Sequence, residues 1–205
     1  MTSIPLAPQG SARLVVTMPP SPSRIERALA ASPASSLLAF TVTEDAFRHL
    51  ACKAQRRLVV MTPYLDATGC AWVLDMFAHT PAPERILVVQ KPGELGNPGV
   101  DKMALQESAT SIHFYGGGET DETFHSKIVL ADGSDAYVGS ANFLWRSKNA
   151  NLECGLLVDG PVVSSIAILV EAVLSTFSER PDLAELKSDR KAAGHHISCM
   201  EDAFV

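Results

Sequence analysis

The sequence predicts an α/β fold built on a mixed, largely parallel β-sheet flanked by helices. Helical and extended patterns alternate from "TEDAFRHLACKAQ" onward. The extended runs "RRLVVMTPYLD" and "ERILVVQK" are apolar on both faces, as strands covered by helices must be. Beyond Phe124, short β-branched segments separated by turn residues such as "DGSD" mark a hairpin.

Each element follows from local pattern. "SARLVVTMPPSPS" is a short strand stopped by prolines, and "SRIERALAAS" has helical spacing. In "TEDAFRHLACKAQ" the apolar Ala46, Phe47, Leu50 and Ala51 recur at helical intervals behind a Thr/Asp cap. "RRLVVMTPYLD" is a buried strand ended by proline, "TGCAWVLDMFAHT" a helix, "ERILVVQK" a strand, "DKMALQESAT" a helix and "SIHFYG" a short strand. "FHSKIVLA" and the returning "AYVGSANF" form the hairpin, "NLECGLLV" adds a strand, and "PVVSSIAILVEAVLSTFSERP" closes the fold as a long helix. The expected division is an N-terminal extension of strand and helix (1–40), a catalytic domain (41–180) and a polar tail (181–205).

Composition narrows the function. With 205 residues, 46% of them hydrophobic, the chain can bury a sizeable core. "SSIAILVEAVLSTF" is interrupted by Glu171 and falls short of the ~18 apolar residues of a membrane span. The N-terminal region carries Pro19, Pro20 and Pro22 and lacks the basic-then-apolar order of a secretory leader, so a soluble cytoplasmic protein is expected. Cys52, Cys70, Cys154 and Cys199 form no CxxC pair, which argues against a zinc ribbon or a disulfide framework. A formal charge of −6 argues against a surface that coats nucleic acid, though not against a local basic groove.

The chemistry concentrates in "TFHSKIVLADGSDAYVGSANF". Strand side chains alternate, so His125 and Lys127 share a face. Asp132 has the opposite parity and falls at the turn, where it serves structure. Ser140 and Asn142 share a face on the returning arm, as do Asn151 and Glu153 on the next segment, so three strands converge polar groups on one spot. A lone strand histidine is usually structural and a lone lysine usually solvated. The whole set is another matter. The six fixed residues of HxKxxxxDxxxxxxGSxN would arise by chance in such a chain roughly once in 10⁵ to 10⁶, at about 1/20 per position.

With His125, Lys127, Asp132, Gly139, Ser140 and Asn142 in place, and Glu153 as a downstream acid, the sequence resembles the phospholipase D superfamily through its HKD motif. The resemblance covers about Phe124 to Glu153 and implies a phosphodiesterase without a metal or other cofactor. His125 is then the nucleophile, forming a phosphohistidine. Lys127, Asn142 and Ser140 stabilise the non-bridging oxygens, and Glu153 accepts from the imidazole; Asp132 and Gly139 are structural motif residues. The family uses the histidine of a second motif as leaving-group acid. His49, His79, His113, His195 and His196 all lack a lysine two residues on, so the resemblance implies a homodimer in which a second copy supplies the acid.

Short single-motif members of the superfamily are similar to dimeric bacterial endonucleases, which places nucleic acid, DNA ahead of RNA, as the expected substrate and no membrane as partner. In size and general appearance the chain is also similar to the phospholipase D-like components of bacterial phage-defence systems such as DISARM, which would add other defence proteins as partners. Arg146 and Lys148, just after the motif, are candidate nucleic-acid contacts, with Arg56 and Arg57 as further groove cations. Two other readings stand beside this one: a phospholipid hydrolase touching membranes through "SSIAILVEAVLSTF", and a catalytically silent subunit of a defence complex. "YGGGE", with Gly116 to Gly118, lacks the lysine of a phosphate-binding loop and reads as a turn, and His195 and His196 read as solvated tail.

Overall fold

The computed structural model describes residues 10–33, 41–116 and 122–177. Its strands are β1 (Ala12–Thr17), β2 (Arg57–Met61), β3 (Glu84–Val89), β4 (Ser111–Phe114), β5 (Lys127–Ala131), β6 (Asp135–Gly139) and β7 (Glu153–Asp159). Its helices are α1 (Arg24–Ala30), α2 (Thr43–Lys53), α3 (Ala67–His79), α4 (Lys102–Ser108), α5 (Trp145–Asn149) and α6 (Pro161–Thr176), with a 3₁₀ turn over Pro92–Gly96. Gly117, Gly118, His195, His196, Cys199 and the tail from residue 181 lie outside the described residues.

All seven strands join one mixed sheet in the order β1-β7-β6-β5-β2-β3-β4. β2 pairs parallel with β3, and β3 with β4. From β2 across β5, β6 and β7 to β1 every pairing is antiparallel. β1 to β4 and β6 therefore run one way and β5 and β7 the other; the sheet is mixed as expected, but four of its six neighbouring pairs are antiparallel, so it is not largely parallel. The tight turn joining β5 to β6 can only return antiparallel, while the other antiparallel pairs are joined by longer connections. The N-terminal strand is stitched to β7 at the edge of the sheet, with Val15 opposite Gly155 and Thr17 opposite Glu153.

One face of the sheet packs on α2 and α3. Phe47 and Leu50 of α2 and Trp72, Val73, Met76 and Phe77 of α3 are buried against Leu58, Val60, Leu87, Val129 and Tyr137. On the other face Val163, Val170 and Val173 of α6 pack over Val59, Met61, Ile86, Val88, Ile128 and Leu130. The sequence expects the apolar face of α6 to be core. Those three valines are, while Val162, Ile168 and Leu169 stay exposed because the helix is apolar on more sides than it has neighbours to cover.

Helix starts follow their caps. Asp66 accepts from the Thr68 and Gly69 amides at the head of α3, and Asp101 from that of Ala104 at α4. At α2 the expected Thr/Asp cap is absent: Val42 is the cap residue and makes no side-chain cap bond. Thr43 is buried there, and its hydroxyl bonds sideways to Thr17 of β1 at 2.7 Å. Two elements escape the sequence reading altogether, the 3₁₀ turn at Pro92–Gly96 and α5, and both brace the site.

Candidate active site

The polar cluster sits where β5 and β7 begin and β6 ends. Lys127 opens β5 opposite Gly139, the last residue of β6, and Gly139 stands opposite Gly155 of β7. His125 lies two residues ahead of Lys127, the first residue of β5. The shared parity read from sequence is realised: Lys127 Nζ is 2.9 Å from His125 Nδ1 and 3.4 Å from Nε2. The pair is asymmetric in burial, with His125 exposed and Lys127 only 2% exposed. That burial pushes the Lys127 pKa below its ordinary value, with the Glu153 charge acting in the opposite sense.

Glu153, at the start of β7, is 5% exposed and its carboxylate is fully engaged. It accepts from Ser140 Oγ at 2.5 Å, Ser147 Oγ at 2.7 Å and Asn151 Nδ2 at 3.0 Å. Ser140 Oγ accepts in turn from the Cys154 amide at 3.0 Å. Three donors offset the cost of burying the carboxylate and lock β6, α5 and β7 together at the site. Of the face-sharing pairs, Ser140 and Asn151 thus meet on Glu153, whereas Asn142 makes no such bond. The partner of Glu153 differs from the sequence expectation of an imidazole, since His125 does not figure among its hydrogen bonds within the chain. Register explains this: Ser140 and Cys154 are ladder neighbours on adjacent strands, whereas His125 precedes β5, which lies beyond β6.

Asn142 is half-buried, and its carboxamide oxygen has no hydrogen-bond partner within the described protein. It is placed by its neighbour Phe143, which stacks on Phe47 at 5.1 Å and is buried in the core. The backbone of Phe143 comes so close to Gly69 of α3 that any side chain there would overlap it. Gly139 meets a similar demand, because the Tyr137 ring lies across Gly139 and Gly155 and a methyl at either position would collide with it. Burial raises the pKa of that tyrosine to about 12.

Asp132 stands at the far end of β5, in the left-handed region with φ +53°. Its carboxylate accepts from the amides of Gln55 and Arg56 at 2.8 Å and of Arg57 at 2.9 Å, tying the hairpin turn to the α2–β2 junction. Burial alone would raise its pKa, but the three amides and the Arg56 charge outweigh that and hold it low. The motif aspartate is a clamp, as its parity implies. A cleft lined by Arg56, Arg57, Glu84, Asp132 and Glu171 opens at this end of the strands, away from His125. Arg57 there is engaged by Glu84 and Glu171, so it is not a groove cation beside the motif histidine.

Of the other expected contacts, Arg146 is exposed at the head of α5, whereas the Lys148 ammonium is 3.1 Å from Glu44 and lies over the Trp72 ring. His113 bonds the Phe177 carbonyl and Ser111 on the edge strand β4, and His79 bonds the Asp75 carbonyl at the distal end of α3. Two site residues go unmarked in the sequence. Ser147 gives no signal because α5 itself is not anticipated. Tyr64, in the "TPYLD" run after β2, is exposed with its ring centroid 5.9 Å from that of His125, at 68°. Its adjacency depends on the Leu65–Phe143 bridge, a tertiary contact no local pattern reveals.

This fold, with its His/Lys/Ser/Asn/Glu constellation, is that of a phospholipase D-like domain. Residues 48–178 match the family described as "Cardiolipin synthase, PLD-like domain", and the chain belongs to that family. Two solved structures share the fold. Nuc of Salmonella typhimurium, a phospholipase D family member, has a TM-score of 0.55 at 15% identity over 84% of this chain and 99% of its own. NucT of Helicobacter pylori has a TM-score of 0.58 at 10% identity over 84% of this chain and 100% of its own. Among curated proteins, the DISARM protein DrmC of Bacillus paralicheniformis is 30% identical over 71 residues, 34% of this chain and 30% of DrmC, so the match spans under a third of that relative. Among the described residues no helix is long and apolar enough to cross a membrane.

Proposed function

We propose that the chain is a metal-independent endonuclease acting on DNA in preference to RNA, through a phosphohistidine on His125, in an active site completed by a second copy. The observation that carries the reading is the buried Lys127 ammonium beside exposed His125, next to strands whose Ser140 is fixed by Glu153. In the first step an imidazole nitrogen of His125 attacks phosphorus. A P–N bond forms, the P–O bond to the leaving alcohol breaks, and the His125 of the second copy gives its proton to that oxygen. The same second histidine then takes a proton from water, whose oxygen displaces His125 and leaves a phosphomonoester. Lys127 and the Asn142 amide meet the non-bridging oxygens, where the transition state gathers charge.

The donor set of cation, amide and hydroxyl suits this route. Glu153 orients Ser140, and Arg146 contributes a phosphate contact; Lys148, engaged by Glu44, contributes less. The likeness to the DISARM protein DrmC supports a place in phage defence, with other defence proteins as partners. The deciding experiment is cleavage of plasmid and oligonucleotide DNA in EDTA by the protein and its His125→Ala variant. Activity that survives chelation and vanishes in the variant supports the reading. Activity lost to EDTA and restored by magnesium overturns the metal-free route, and release of a lipid headgroup from vesicles without DNA cleavage overturns the choice of substrate.

A further inference from the structure

Among the described residues, the aromatic side chains that stay exposed are Tyr64 (42%), whose ring lies against that of His125, and Trp145 (55%), which opens α5 just after the loop bridged to the Tyr64 segment. The loop after β2 and the loop after β6 run parallel: Leu65 pairs with Phe143, and the Asp66 amide donates to the Phe143 carbonyl at 3.2 Å. Asp66 uses one carboxylate oxygen to cap α3 and the other to accept from the Trp145 amide at 2.7 Å. The buried Glu94 accepts from the Leu65 amide at 3.3 Å, and Asn97 donates to the Leu65 carbonyl at 2.7 Å. The Thr62 hydroxyl donates to the Tyr64 carbonyl at 3.0 Å. A backbone braced from this many sides holds two large rings in water, while its Phe143 packs into the core against Phe47 and Trp72.

We infer that Tyr64 and Trp145 form a stacking platform for unpaired bases flanking the scissile phosphate, so that the enzyme prefers single-stranded nucleic acid to duplex. This rests on the nuclease reading above and specifies its substrate. A base within a duplex has both faces covered by its neighbours, and only an unpaired base can lay a face on a protein ring. Rings on rigid backbone bind at low cost in lost conformational freedom. Exposed Arg146, next to Trp145, supplies a cation for the adjoining phosphate. A lipid surface is the less favoured occupant, because two rings beside a cation at the mouth of a polar site form a far smaller apolar area than membrane insertion uses.

The chain has two tryptophans, of which Trp72 is buried at 5% exposure, so fluorescence quenched by a ligand reports chiefly on Trp145. The experiment titrates the intact His125→Ala protein with oligo(dT), with a blunt duplex of equal length and with anionic phospholipid vesicles. It also measures the ratio of kcat/KM on single-stranded to duplex DNA for the wild type, Tyr64→Ala, Tyr64→Phe and Trp145→Ala. Oligo(dT) is expected to quench Trp145 and bind more tightly than duplex. Each alanine should lower the single-strand to duplex ratio by about fivefold or more, and Tyr64→Phe should retain it. An unchanged ratio in active alanine variants overturns the inference and leaves the nuclease reading standing. Alanine variants that become monomeric by light scattering assign the rings to the contact between copies and also overturn it. Trp145 quenched by vesicles alone, with no DNA turnover, overturns both readings.

Discussion

Lys127 shows what a functional side chain costs the fold. Burial lowers its pKa, which means that the unfolded chain holds this proton more readily than the folded one. The charged lysine therefore withdraws stability at neutral pH, and the deficit shrinks as pH rises through the depressed folded pKa toward the unfolded value of about 10.4. Lys127→Met should abolish turnover and raise stability at pH 7 by about 1 kcal/mol or more, with a smaller gain at pH 9.5. Urea unfolding at the two pH values measures this, and a variant less stable than wild type at pH 7 would show that the Glu153 attraction dominates burial. Glu153 behaves oppositely. Sequence parity alone predicts that Glu153→Gln lowers kcat and leaves stability nearly intact. The three donors seen on the carboxylate change that expectation: the variant should lose activity and also about 1–3 kcal/mol, because a carboxamide cannot accept on both sides. An unfolding midpoint equal to wild type would restore the simpler view.

Among the elements, the β5–β6 hairpin carries nearly everything that could be read without coordinates. Its period of two put His125 with Lys127 and set Asp132 apart, because parity along a strand depends on the backbone alone. The buried strands β2 and β3 and the helices α3 and α4 were equally legible from local pattern, whereas the Thr/Asp cap expected at α2 was not found. Contacts between elements distant in sequence were not legible. The partners of Glu153 depend on α5, whose "WRSKN" has neither a clear cap nor a periodic face, and the place of Tyr64 depends on a bridge between loops. Asp132 tests the hairpin as an element. Its pKa is held low in the folded state, so its contribution is full above about pH 5 and is lost as pH falls below the unfolded value of about 3.9. Asparagine tolerates the left-handed backbone but carries no charge for the three amides. Asp132→Asn should lower stability by about 1–3 kcal/mol at pH 7, with a much smaller difference near pH 3, and any activity loss should follow unfolding. A fully folded, inactive Asp132→Asn protein would assign the aspartate to the chemistry instead.

At the scale of the whole molecule the open question is the leaving-group acid. Within one chain His113 has both ring nitrogens engaged on β4, at the opposite edge of the sheet from β1 and separated from β5 by β2 and β3. His79 ends α3, thirteen residues from the Asp66 cap, or about 20 Å at 1.5 Å per residue. Neither suits a phosphate held at His125, whereas that histidine is exposed and open to a second copy across a twofold axis. If wild-type and His125→Ala chains are mixed equally and allowed to exchange, random pairing leaves about a quarter of the dimers with both histidines. A mixed dimer has a nucleophile without an acid or an acid without a nucleophile. Groups that act as a unit are not additive, so losing one should cost nearly as much as losing both. Specific activity should then fall to about a quarter of the wild-type value after exchange, against about half in the same mixture before exchange. An exchanged mixture that still keeps half would mean that each chain works alone, with the acid drawn from within it.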